Sequence, residues 1–184
     1  MKRLSVFLTG AFLAIAIGTN AQNIDFRATT WGMTKADVKK AEKTDLVKEE
    51  DTRLIYETKI TNLPARVIYT FSFAGKLMRG KYYIYPDYYT ASFYVDDYKM
   101  IADALTQKYG APVEKPTVKE DDWISAIANG LFGIETVWKQ KRMDVTLTLS
   151  ESPEGKIVIQ IDYVSKEFTN VDTKEKRDSL IKSL

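Results

Sequence analysis

Any chemistry in this chain has to be done without imidazole or thiol. The 184 residues include no histidine and no cysteine. That removes Ser-His and Cys-His nucleophilic pairs, zinc sites built on imidazole or thiolate, haem held by histidine, and redox dithiols. Carboxylates remain in three runs: Glu49-Glu50-Asp51, Asp96-Asp97 and Glu120-Asp121-Asp122. Adjacent residues point to opposite faces of a strand and do not face each other on a helix, so no run is by itself a general acid/base dyad. The first run reads as solvated loop charge, the other two as acids at helix N-termini that complement the dipole. Residues 120–122 also lack the alternating Asp-x-Asp-x-Asp-Gly pattern of a calcium loop. Ser179-Leu180-Ile181-Lys182 has the spacing of a serine acyl enzyme but no S-D-N or K-T-G companion, and Gly75-Lys76 and Gly155-Lys156 lack the earlier glycine of a phosphate-binding loop. No catalytic residue, cofactor or metal ligand is nominated, and the expectation is a protein that is not an enzyme.

Two other sets of residues have the makeup of binding surfaces. The stretch KYYIYPDYYTASFYVDDY, Lys81 to Tyr98, holds eight tyrosines and phenylalanines in eighteen positions. Tyr82, Tyr83, Tyr85, Tyr88 and Tyr89 are candidates for a stacking platform for sugars, peptides or a protein, because tyrosine offers contact area at small entropic cost. The plainer reading is that Tyr83 and Tyr85, or Tyr82 and Ile84, line the core, since aromatics are favoured in ordinary strands. Farther on, Met143, Val145, Leu147 and Leu149 alternate with Asp144, Thr146 and Thr148, while Ile157, Ile159, Ile161 and Tyr163 oppose Gln160 and Asp162. Thr146, Thr148, Gln160 and Asp162 thereby share a polar sheet face, which is either a binding surface or the wet side of an antiparallel sheet.

The elements that must position these residues are legible from local signals. Thr34 sits at an N-cap with Asp37 three residues on, and Met33 and Val38 occupy the positions of a hydrophobic staple, so a helix is expected from Lys35 to about Thr44. Extended runs follow at Arg53 to Ile60, Arg66 to Phe73 and Lys76 to Tyr85, the last two joined by Ala74-Gly75. A second helix is expected from about Val95 to Tyr109, where Tyr98, Ile101, Ala102, Leu105 and Tyr109 repeat at helical spacing before Gly110 and Pro112. Three further extended runs cover Ile134 to Arg142, Met143 to Leu149 and Lys156 to Val164.

Both halves thus read helix, strand, strand, Gly-Lys turn, strand. Gly75 and Gly155 stand 80 residues apart. The expected fold class is α+β: an antiparallel sheet of about six strands with two helices on one face, in pseudo-duplicated α-β-β-β units. Residues 22–168 form one domain, with halves of about 22–90 and 91–168 and an insertion at 111–133 that holds a short helix or a loop. Residues 169–184 form a charged C-terminal tail, either a loosely docked helix or a fraying end.

Ahead of the domain, Lys2 and Arg3 precede an apolar run from Leu4 to Gly18, and small residues follow up to Ala21. That is the pattern of a secretory signal peptide over residues 1–21, with cleavage between Ala21 and Gln22. The run is shorter than the ~20 residues a membrane-spanning helix needs. The leader takes Lys2 and Arg3 with it, which leaves 25 basic and 25 acidic residues and a formal net charge of zero. No electrostatic footprint for nucleic acid or anionic membrane remains. An exported chain without cysteine relies on a packed core rather than disulfides, and the expected location is the periplasm or the medium of a bacterial cell.

The segment WGMTKADVKK, Trp31 to Lys40, resembles the Gly-Met-(Ser/Thr)-x-x-x-Val helix start of small exported bacterial domains of the β-lactamase-inhibitor-protein and outer-membrane-assembly-lipoprotein type. KYGAP, Lys108 to Pro112, looks like the Tyr-Gly-x-Pro helix exit of related exported proteins. The resemblance implies helix-plus-sheet units that bind other proteins without catalysis, and it carries over no functional residue. The chain departs from both types in having no cysteine. The expected function is a non-enzymatic binding domain of the bacterial envelope whose partner is a protein or envelope component. The alternative is a carbohydrate- or lipid-binding protein that uses the tyrosine-rich segment or an apolar cavity.

Overall fold

The computed structural model describes residues 24–128 and 133–183, so the expected signal peptide lies outside the described residues. The elements in chain order are α1 (Lys35–Ala41), β1 (Leu46–Glu49), β2 (Arg53–Ile60), β3 (Leu63–Phe71), β4 (Leu77–Ile84) and α2 (Ala91–Tyr109). A 3-10 turn (Glu120–Asp122) then leads into α3 (Trp123–Ala128), β5 (Ile134–Lys139), β6 (Met143–Glu151), β7 (Ile157–Ser165) and α4 (Lys166–Ser183). The strands form one antiparallel sheet in the order β1-β2-β3-β4-β7-β6-β5. The class is α+β, with seven strands rather than about six and four helices rather than two.

Each departure has a local cause. Strand β1 is four residues long and exposed throughout, without the apolar alternation that marks a half-buried strand, and it forms only because β2 offers it a ladder. Helix α3 lies in the insertion. Helix α4 is charged along its length and is held at its first turns, where Phe168 packs on the core and the buried Asp172 carboxylate accepts the Phe73 N–H at 3.0 Å. Helix α1 begins as its capping box dictates, with Thr34 Oγ1 accepting from the Asp37 N–H and the Asp37 carboxylate accepting from the Thr34 N–H. It stops at Ala41, short of Thr44, because the Glu42 carboxylate captures the N–H groups of Lys43 and Thr44 and turns the chain.

One face of the sheet supplies the core. Leu54 and Tyr56, Val67 and Tyr69, Ile84, Val145 and Leu147, and Ile159 and Ile161 alternate inward along successive strands. They share one cluster with Val38 of α1, Tyr98, Ile101 and Leu105 of α2, and Trp123 and Ile127 at α3. Each large side chain removed from water here is worth about 1.5–3 kcal/mol.

The segment ahead of α1 is tied to the same face. The Phe26 ring lies against Tyr69, Tyr82 and Tyr163, with centroids 5.4, 5.2 and 5.0 Å away. It fits because β4 carries glycine beneath it: a Cβ at Gly80 would stand 2.2 Å from a Phe26 ring carbon. Trp31 is buried in the core, its backbone N–H donating to the Asp25 carboxylate at 2.9 Å, and Asp25 in turn pairs with Arg142 at 2.8 Å. Gly32 has φ +86°, and a Cβ there would come within 2.5 Å of Phe168. The Trp-Gly-Met-Thr lead into α1 is therefore a joint between the N-terminal segment, the sheet and α4.

Candidate functional site

The strand residues that alternate away from the core form a broad polar face. Register sets Glu57, Arg66, Tyr83, Gln160, Thr148 and Glu135 side by side across six strands. The next row runs Ile55, Ile68, Lys81, Asp162, Thr146 and Val137. Thr146, Thr148, Gln160 and Asp162 thus lie on one face as their alternation implies, and Tyr83 joins them opposite Gln160.

The charges on this face are largely matched within it. Asp162 sits between Arg79 at 2.7 Å and Lys81 at 3.2 Å, and Lys81 also donates to Gln160 Oε1 at 2.7 Å. At the β2–β4 end, Glu57 accepts from Arg66 Nε at 2.8 Å and from the Tyr85 hydroxyl at 2.7 Å. The hydrogen bond from Arg66 holds the Glu57 carboxyl below its ordinary range. Tyr85 is pushed up, first by burial and then by its bond to Glu57. The Tyr83 and Tyr85 rings lie 6.1 Å apart at 35°, and the Arg66 guanidinium stands 5.4 Å over the Tyr85 ring.

The five candidate tyrosines do not form one platform. Tyr83 and Tyr85 flank the polar face. Tyr82 points to the opposite face, among Phe26 and Tyr163. Tyr88 closes the start of α2: its hydroxyl donates to Asp97 at 2.7 Å, its N–H donates to the Tyr94 hydroxyl at 3.1 Å, and the bond to Asp97 pushes its own hydroxyl up to about 12. Tyr89 is fully exposed. The reason is the alternation of β4, which sends neighbouring rings to different sides and ends at Ile84, so that Tyr88 and Tyr89 lie beyond the strand.

The carboxylate runs are likewise taken up locally, with Glu49 paired to Lys39, Glu50 to Lys48 and Arg53, and Glu120 to Lys99. Among the described residues no three acidic side chains converge as a metal-binding group.

One buried polar cluster carries no sequence signature. The Glu42 carboxylate accepts from Arg27 Nε at 2.8 Å, from Arg27 Nη2 at 3.0 Å and from the Tyr69 hydroxyl at 2.6 Å, besides the N–H groups of Lys43 and Thr44. Burial alone would push this carboxyl up, but the donated hydrogen bonds outweigh it and hold it at about 2. The only signal pointing to such a partner is Tyr69, a hydroxyl placed on the apolar side of a strand, which needs an acceptor once buried.

Several recesses indent the surface. One of about 610 Å³ runs beside β5, lined by Glu114, Pro116, Val118 and Ile134. A second, about 240 Å³ and almost wholly apolar, lies between α2 and the sheet, with Leu63, Met100, Leu105 and Ile161 in its walls. A third of about 180 Å³ is polar and holds Asp25, Arg27 and Lys108. The second and third share Tyr82 and Tyr163 in their linings. Comparison of the chain with protein-family models, with curated proteins and with solved structures returned no match.

Proposed function

We propose that this chain is an exported, non-enzymatic binding domain that engages a protein or another component of the bacterial envelope through the polar face of its sheet. The observation that carries the reading is the division of labour across the sheet. Helices α1, α2 and α3 bury their apolar residues on one face, while Tyr83, Thr146, Thr148 and Gln160 remain partly exposed together on the other. The absence of histidine and cysteine supports a role in binding rather than catalysis. So does the likeness of WGMTKADVKK to exported protein-binding domains. Because the charges of this face are already paired within it, a partner that docks there is recognised by hydrogen bonding and the Tyr83–Tyr85 rings more than by net charge.

We also infer that the domain is a duplicated α-β-β-β unit. Supporting this, β2-β3-β4 and β5-β6-β7 meet at the β4–β7 pair as two like meanders. Their turns match bond for bond: Gly75 N–H to Ser72 O and Gly155 N–H to Ser152 O, both 2.9 Å, with the serine hydroxyls accepting from Lys76 N and Lys156 N.

In-cell photo-crosslinking tests the binding reading, with probes at Tyr83, Thr146 and Gln160 and a control at Gln107 on α2. The expected result is one envelope protein captured from the sheet-face positions, absent from Gln107, and lost on Lys81→Glu. The same captured set at all four positions would overturn it. The carbohydrate alternative is favoured by one observation, the Tyr83–Tyr85 pair beside Glu57 and Arg66, and glycan binding abolished by Tyr83→Ala is its test.

A further inference from the structure

The apolar recess between α2 and the sheet and the polar recess under the N-terminal segment share Tyr82 and Tyr163 in their walls, with the two rings 6.3 Å apart. Along this line α2 presents Met100, then Ala104, then Lys108, one helical turn after another, so the wall changes from apolar to cationic in about 12 Å of helix. The two residues other than glycine with positive φ among those described, Thr61 at 54° and Arg27 at 52°, line the apolar and the polar recess respectively. Each opens a two-residue turn, Thr61 between Ile60 and Leu63 and Arg27 between Phe26 and Thr29, where positive φ is the geometry of the turn.

We propose that these recesses form one binding site for a single anionic amphiphile, a medium-chain alkyl carboxylate, with its chain against Leu63, Met100 and Tyr163 and its carboxylate at Lys108. Three observations select this class. The cation at the polar end is free to serve: Arg27 is held by Glu42 and Asp25 by Arg142, whereas Lys108 has no carboxylate within ion-pair distance among the described residues and rests 5.0 Å over the Tyr109 ring. The apolar part, about 240 Å³, has room for one chain or ring. An extended peptide would find no backbone partners there, because β4 is paired on both sides and α2 satisfies itself, and its own N–H and C=O groups would be stranded. An alkyl chain has none to strand, and the flexible Met100 thioether adapts to it.

The site lies on the opposite side of the sheet from the surface in the proposed function, and neither reading depends on the other. Calorimetric titration of the purified protein with decanoate and with decanol, both below their aggregation limits, tests it. Saturable one-site binding of decanoate is expected, with decanol weaker. Ala104→Phe changes an exposed helix position and fills the apolar recess; it should weaken decanoate at least about tenfold. Lys108→Glu should weaken decanoate roughly three- to tenfold and leave decanol unchanged. Circular dichroism confirms that both variants fold. No saturable decanoate binding, undiminished binding to Ala104→Phe, or equal affinity for decanol and decanoate would each overturn the proposal.

Discussion

Glu42 shows how one side chain can fasten three segments at once. Its carboxylate joins Arg27 of the N-terminal segment, Tyr69 of β3 and the turn after α1, and it is 8% exposed. Its folded-state value of about 2 lies below the ordinary 4.5, so the unfolded chain takes up the proton first as pH falls. The stability it lends is therefore complete above about pH 4.5 and is lost as pH falls from there through 2. The shift corresponds to on the order of 3 kcal/mol. Urea unfolding followed from pH 7 to pH 2 should show this loss, and Glu42→Gln should flatten the slope by that amount while destabilising the protein at neutral pH. Equal slopes in both proteins would place the acid sensitivity elsewhere. At this scale the sequence reveals what is local. Thr34 and Asp37 announce their cap because the bonding groups are three residues apart. Glu42 looks like any other charge in KAEKTD because its partners stand 15 and 27 positions away.

Elements were legible in proportion to their amphipathicity. Helix α2 buries Tyr94, Val95, Tyr98, Ile101 and Leu105, a stripe at helical spacing that marks all of the helix but its first turn. Helix α4 has no such stripe, so a helix held by Phe168 and Asp172 reads only as a charged tail that either docks loosely as a helix or frays. Strand β1, LVKE, is exposed throughout and has no alternation against a core to mark it in the sequence. In β4 the alternation that sends Tyr82 inward and Tyr83 outward was visible as a choice of two, and burial of Ile84 settles it. What alternation could not reveal is why Gly80 interrupts the inward series, since the reason is the Phe26 ring. Gly80→Ala is expected to destabilise by about 1–3 kcal/mol through overpacking. Phe26→Ala should cost about 3–5 kcal/mol, and the double variant should cost less than the two together by at least ~1 kcal/mol, because removing the ring frees the space. Thermal melts of the four proteins measure this, and strict additivity would show that Phe26 is not the obstacle.

For the molecule as a whole, hydrophobic pattern fixed the class but not the strand order, because the pairing that sets the order leaves no mark in either partner. Strands β4 and β7 are each the last strand of a meander, and nothing in KLMRGKYYI or KIVIQIDYV says that they lie side by side. The outer edges are guarded differently. Val113 and Glu114 exchange backbone hydrogen bonds with Val137 and cover β5, while β1 leaves its edge short and charged. The helices add no membrane-spanning candidate: among the described residues none is long and apolar enough.

The β4–β7 seam also sets a clock. Within each meander neighbouring strands are joined by tight turns, but Ile84 faces Ile159 and Arg79 faces Val164 across separations of 75 and 85 residues. Closing so long a loop spends chain entropy before any contact repays it, so the two meanders should form early and their meeting should limit the rate of folding. In chevron experiments Ile161→Val, on the seam, is expected to slow folding, with most of its destabilisation felt at the transition state. Leu54→Ala, on the far strand β2, should chiefly hasten unfolding. The reverse pattern would mean that one meander, rather than their union, is the slow step. A newly made chain therefore dwells with two half-sheets open along their central edges, and that interval, more than the finished fold, is when it is most exposed to pairing with the wrong partner.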